Sequence, residues 1–514
     1  MRNNVPKVVL LVGGYLLMNG NYLFPDGQGY FSYLPSLFFD GDIDFYNEFV
    51  LMRIPVPLAV TAGGYISNIW SVGSAFLWTP FYLVAKLFGA AGANPYGSWF
   101  WQWVNFGSFF YGVVAFLLLV KILKKINNGL PAMAVAALAF AGTPMFFYTF
   151  VISSTAHGVS AFAATLLVWY WLYSYEGYKA KIRYALLGLI AGVTAMTRPQ
   201  EALFIAPVIT ELAFRYFKKE LPLKKTISSL AVFAVFFVVG FSPQMFLWKF
   251  IYGSFFAAPS GFNVSLRYFE PLALLFSPYH GIALWTPVIL VSFAGLMLGC
   301  VRRPQVYAGL LVALLGQFFV NACCVAYWEG YSFGLRQMTS SLPVISLGMY
   351  EIMIFASGKS KQVRALAWFL LIAPTLWTVG LLLGYYGGLD LLGYVSAGEL
   401  VSAQKNLLYN AAAAAKKIAG AEHPSALEFI LTIGVAAAFF AFLRAAKRRL
   451  ERNRPLAVVV AACIILGGYN ALIIRAHINK PVYTIPPGLA ISSDKLGEFF
   501  TGQVREIKEK YSLR

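Results

Sequence analysis

FPDGQGYFSYLPSLFFDGDIDFYNE, residues 24–48, holds Asp26, Asp40, Asp42, Asp44 and Glu48 and contains neither Lys nor Arg. Five of the chain's 21 acidic residues thus fall in one short, aromatic-rich segment. An apolar run long enough to cross a bilayer precedes it, and apolar runs of similar length recur over the several hundred residues that follow. A loop of acids hung on so hydrophobic a chain makes the segment the first candidate for chemistry.

The rest of the chain sets the frame. Its 514 residues are 59% hydrophobic and 12% charged, with a mean hydropathy of +0.67, which overrules a reading as several soluble domains. The pattern predicts an all-α polytopic membrane protein. The 17% aromatic content fits belts at the membrane interfaces. Cys300, Cys323, Cys324 and Cys463 all lie within apolar runs and form neither a zinc spacing nor a disulfide framework. MRNNVPK is a short basic flank with no small-residue cleavage site after it, so the first helix is expected to be retained.

About thirteen spans are expected, near 7–24, 103–123, 131–150, 154–175, 184–197, 202–217, 227–250, 283–300, 306–326, 341–355, 365–385, 428–443 and 456–474. The run 74–90 is apolar but carries Pro80 and Lys86, and it is read as interfacial or re-entrant within a long first outer loop, about 25–102. Residues 1–475 then form one transmembrane unit and 476–514 a short extracytoplasmic tail. With the N-terminus cytoplasmic, about 24 of the 40 basic residues cluster at cytoplasmic helix ends. The net charge of +19 is therefore read as topogenic, and no nucleic-acid partner is needed. The same count places the acidic loop, SPYHG (277–281) and WEGYSFGLR (328–336) together on the outer face.

Asp26 follows the first helix directly. A carboxylate there can act as general base for a hydroxyl, or can cap the helix that follows. Asp40, Asp42 and Asp44 alternate, so an extended segment turns all three one way. Such hard oxygen ligands suit Mg2+ or Mn2+, with Asp42 and Asp44 as the closest metal candidates; a solvated turn is the alternative. Arg198 sits in TRPQ between two apolar runs, where a charge needs a partner, either Glu201 or a lipid phosphate. Arg267 in SLRYFE and Arg336 in GLRQ are expected on the same face, and guanidinium groups grip phosphate bidentately. His157 and His280, two of only four histidines, map to that interface and can hydrogen-bond a phosphate or sugar hydroxyl. Phosphate-binding glycine loops, nucleophilic serines, metalloprotease helices and redox motifs are absent from the sequence.

In order and placement, DGQGYFSYLPSLFFDGDIDF, SVGSAFLWTPFYLVAK, TPMFFYTFVISSTAHG, AMTRPQEALF, FSPYHGIALWTPV and YWEGYSFGLRQMTSSLPV resemble the GT-C superfamily of polytopic glycosyltransferases. The likeness is to bacterial members of the protein O-mannosyltransferase and lipid A aminoarabinose transferase type, and it covers roughly residues 1–350. The resemblance implies a sugar donor on polyprenyl phosphate, used at the outer face of a bacterial cytoplasmic membrane. It also implies transfer to a glycan, lipid or protein acceptor by a single inverting displacement, with Asp26 as base. Many members have Glu after that Asp; here Gly27 follows, which moves any second acidic role to Asp40, Asp42 or Asp44. Two rivals are a transporter or flippase of lipid-linked sugars and a polysaccharide polymerase or ligase. The first favours paired broken helices near the midplane, and the second a late outer loop rich in Arg and His; neither pattern is apparent.

Overall fold

A computed structural model describes residues 22–90, 92–175, 180–257, 264–324, 332–391, 395–420 and 455–479, with isolated positions at 434, 491–492, 495 and 502. The described chain is helical almost throughout; its one sheet is a pair of two-residue strands. Seven described helices are long and apolar enough to cross a membrane: Ser98–Ile126, Ala180–Thr197, Leu223–Tyr252, Pro304–Ala322, Arg336–Ser357, Lys361–Tyr386 and Pro455–Ile478. Most of the first expected span and all but one residue of the twelfth lie outside the described residues, so the structure does not fix the count of thirteen.

The remaining expected spans are shorter or broken. The run 131–150 divides into Ala132–Ala141 and Met145–Phe150. Pro144, which has no N–H to continue a helical ladder, stands at the break. The run 202–217 begins as a 3-10 turn, Pro199–Ile205, before Ala206–Phe217, and 283–300 is split into Ile282–Trp285 and Val288–Arg302. The interfacial run is the helix Gly73–Phe88, whose 16 residues reach only about 24 Å. It lies against Ser98–Ile126.

Small residues bring the helices together where lipid gives no hydrophobic drive. A Cβ on Gly192 would stand 2.2 Å from the Phe237 carbonyl, and one on Gly295 1.9 Å from that of Gly348. Charge divides the two ends of the bundle. At one end Arg183 donates twice to Glu211 at 2.7 Å, beside the Trp171 indole, and Arg302 and Tyr307 each reach Glu351 at 2.8 Å. Glu211 and Glu351 are both buried. Removing one partner of the Arg183–Glu211 pair, buried on both sides, strands the other charge at a cost of about 3–5 kcal/mol.

The other end gathers the segments expected on one face. The Phe24 N–H donates to Ser154 Oγ at 3.0 Å, and the Tyr252 hydroxyl donates to the Asn68 carbonyl at 3.0 Å. From the far end of the chain, Ile491 and Ser492 pair in parallel with Ala59 and Val60. His477 stacks on Phe250 at 4.0 Å and its Nδ1 lies 2.7 Å from the Tyr65 hydroxyl. The described part of the tail is thus laid onto the first loop.

Candidate active site

Asp26 is the second residue of the helix Pro25–Phe31, whose Pro25 occupies the first turn, where a missing N–H costs nothing. The cap is Phe24, so Asp26 is not spent on capping. Two glycines let this helix sit where it does. A Cβ on Gly27 would lie 2.2 Å from the Ser154 carbonyl, and one on Gly29 2.0 Å from the Trp70 ring. With Trp70 so close, its Nε1 donates to Asp26 Oδ1 at 3.3 Å. The second carboxylate oxygen accepts from Arg336 Nη1 at 2.5 Å. The Asp26 side chain is 29% exposed and that of Arg336 only 8%.

Arg336 opens the 3-10 turn Arg336–Ser341. Arg198 precedes Pro199, which favours extended backbone, and its φ is −156°. That extension directs the side chain inward instead of along a helix face. Arg198 is held loosely: 3.4 Å to the Gln337 carbonyl, 3.4 Å to Gln200 Oε1 and 3.8 Å to Glu201. Glu201 has nearer partners, Ser340 Oγ at 2.5 Å and Gln317 Nε2 at 2.9 Å. Its pairing with Arg198 is therefore the weaker of its contacts.

Asp26, His157, Arg198 and Arg336 all line one cavity of about 340 Å³. His157 stands in the first turn of Ala156–Tyr173, its ring 4.5 Å from that of Tyr148. Two other expected members are elsewhere. Arg267 is exposed on a short 3-10 turn outside the cavity, its backbone N–H bonded to Ser265 Oγ. His280 is fully buried between Tyr279 and Trp285, with a φ of +65°, and does not line the cavity.

Asp40, Asp42 and Asp44 do not face one way. A π-helical turn, Ser36–Asp40, ends at Gly41 in the left-handed region and breaks the extended run that alternation requires. Asp42 Oδ1 accepts from Ser36 Oγ and the Asp44 N–H, Asp44 Oδ1 from the Tyr46 N–H, and Asp40 from Asn47 and Tyr96. Asp42 and Asp44 thus bond within the turn, while Asp40 ties it to Asn47 and to Tyr96. Among the described residues no three His, Cys, Asp or Glu side chains come together to hold a cation. The donor set does not fit a dedicated Mg2+ or Mn2+ cage.

Burial pushes the Asp42 carboxyl up to about 6 and that of Glu48 well above its ordinary range. An acid whose folded pKa is raised binds its proton more tightly in the folded state, so its stabilising effect is present at low pH. It is lost as pH rises from about 4 through 6. The melting temperature in detergent should therefore fall over that interval, and Asp42→Asn, which keeps the Oδ1 acceptor, should make the fall shallower. An unchanged slope would assign the pH dependence to other groups.

Sequence reading passed over several cavity residues. Tyr30 lies one helical turn from Asp26, and burial pushes its hydroxyl up to about 12, the nearby Arg198 working against the shift. It is a proton donor at neutral pH. Trp70, Gln200, Asn321 and Gln337 also line the cavity. The i, i+4 spacing of Asp26 and Tyr30 on one helix was the available signal for the tyrosine.

No protein-family model matches the sequence, and no curated protein matches it. Among solved structures, ArnT from Cupriavidus metallidurans bound to undecaprenyl phosphate aligns with a TM-score of 0.48 at 14% identity, covering 92% of this chain and 76% of that one. ArnT of the same organism in the apo state aligns with a TM-score of 0.46 at 14% identity, covering 93% and 78%. A TM-score below one half is too low to transfer activity, so the chemistry rests on the residues themselves.

Proposed function

We propose that the chain is a membrane glycosyltransferase that moves a sugar from a polyprenyl-phosphate donor to an acceptor at the outer face of a bacterial cytoplasmic membrane. The observation that carries this reading is the meeting of Asp26 with Arg336 and Arg198 in one cavity at the expected outer end of the bundle. Asp26 takes the proton from the acceptor hydroxyl, whose oxygen attacks the anomeric carbon. The bond from that carbon to the phosphate oxygen breaks, its electron pair stays on the phosphate, and the configuration inverts. Charge developing on the phosphate is met by the guanidinium groups, in a site where low polarity strengthens the attraction. Trp248 and Val320 give the same cavity apolar wall on helices with lipid-facing surfaces, which suits an isoprenoid chain. The acceptor is a glycan, lipid or protein.

The test is an assay of the purified protein in proteoliposomes with radiolabelled polyprenyl-phosphate sugars and a cell-envelope fraction. Label should leave the lipid and polyprenyl phosphate should be released. Label that crosses the bilayer while still lipid-linked would instead establish a flippase. Because the Asp40–Asp44 turn does not fit a metal cage, no step is routed through a cation, and EDTA should leave the transfer rate unchanged. Loss of transfer on chelation, restored by Mg2+ or Mn2+, would overturn the arginine-only version.

A further inference from the structure

Beside the charged residues the cavity has an amide wall formed by Gln200, Asn321 and Gln337. The hydrogen-bond network fixes which way Gln200 and Asn321 point. Gln200 Nε2 donates to Gln317 Oε1 at 3.0 Å and to the Gln337 carbonyl at 2.9 Å, so both its hydrogens are spent on the protein. Asn321 Nδ2 donates to the Gln317 carbonyl at 2.8 Å. Gln317 is itself fixed by its bonds to the Gln200 carbonyl and Glu201. The Gln200 and Asn321 nitrogens are thus turned back into the protein, and Gln200 Oε1 lies 3.4 Å from Arg198 Nη2. Gln337 is 5% exposed, and its buried Oε1 has no hydrogen-bond partner. A buried amide oxygen without a donor is costly, and a ligand that supplies the donor recovers that cost.

We propose that Gln200, Asn321 and Gln337 form the subsite that reads the transferred sugar and select an uncharged, hydroxyl-rich ring. This rests on the glycosyl-transfer reading. Hydroxyl groups donate to the amide oxygens while the two arginines hold the phosphate. An amino sugar would bring an ammonium group toward Arg198 and Arg336. Asp26, the only carboxylate among the described residues that line the cavity, is already engaged by Arg336. A site built on hydrogen bonds rejects a ligand that leaves them unmade more strongly than one built on apolar contact.

The full-length protein in detergent is titrated with three probes: farnesyl phosphate, farnesyl-phosphate-linked glucose and a farnesyl-phosphate-linked 4-amino-4-deoxy sugar. The wild type should prefer the glucose probe. Gln337→Leu should weaken it about tenfold more than bare farnesyl phosphate, the loss expected for one buried hydrogen bond. Gln337→Glu, of the same shape, keeps the test open if the leucine variant fails to fold, and it should shift preference toward the amino sugar. Equal loss for all probes, no loss, or tighter wild-type binding of the amino sugar would overturn the subsite. Wild-type protein that binds none of the three probes would overturn the transfer reading itself, and the subsite with it.

Discussion

Asp26→Asn should lower sugar transfer by about 10²- to 10⁴-fold, the range a positioned general base contributes. The replacement keeps an oxygen for the Trp70 indole but removes the charge that faces Arg336 at 2.5 Å. That leaves a buried guanidinium partly uncompensated, so the melting temperature should also fall. Donor binding separates the two effects. In the resting protein the carboxylate and the donor phosphate compete for Arg336, so the Asn variant should bind donor at least as tightly as the wild type while failing to turn it over. Weak binding together with slow transfer would indicate a structural role. A folded variant that transfers sugar at the wild-type rate would remove Asp26 from the mechanism.

Arg198→Ala should weaken donor affinity about ten- to a hundredfold, as expected when a charge-assisted contact to phosphate is lost. The fold should tolerate the change, because the residue's contacts within the protein are no shorter than 3.4 Å and Glu201 is retained by Ser340 and Gln317. Arg198→Lys should recover part of the affinity, since the ammonium restores charge without the planar fork. Titration with a labelled donor checks both variants. Unchanged affinity would mean that Arg336 alone holds the phosphate.

Apolar runs made the membrane class and most helix positions legible, because length and composition decide which segments can cross a bilayer. The same averaging hid the break at Pro144 and the 3-10 turn after Arg198, which a window of twenty residues smooths away. Asp26, Arg198, Arg336 and His157 stand together as the order of their segments implied. Arg267 and His280 do not, because a loop's neighbourhood depends on packing that no local pattern encodes. For Asp40, Asp42 and Asp44 the spacing left an extended segment and a turn both open, since period-two spacing aligns side chains only on a strand; Gly41 makes it the turn. Gly27, where an acid was expected, has a steric explanation in the Ser154 carbonyl that a larger residue would strike. Glu211 and Glu351 escaped notice because isolated acids in apolar helices declare themselves only through partners far off in sequence.

The contact between Asp26 and Arg336 joins residues 310 positions apart, and that between Tyr65 and His477 joins residues 412 apart. Both are long-range pairings, and neither exists until the ribosome has delivered its second partner. Closing such large loops is slow and comes late in folding. The acid-bearing segment is therefore made before the arginine that holds its aspartate, and that arginine before the His477 that fastens the loop. A chain cut short by a nonsense mutation before Arg336 would carry Asp26 without its arginine, and one ending between Arg336 and His477 would lack the Tyr65–His477 tether.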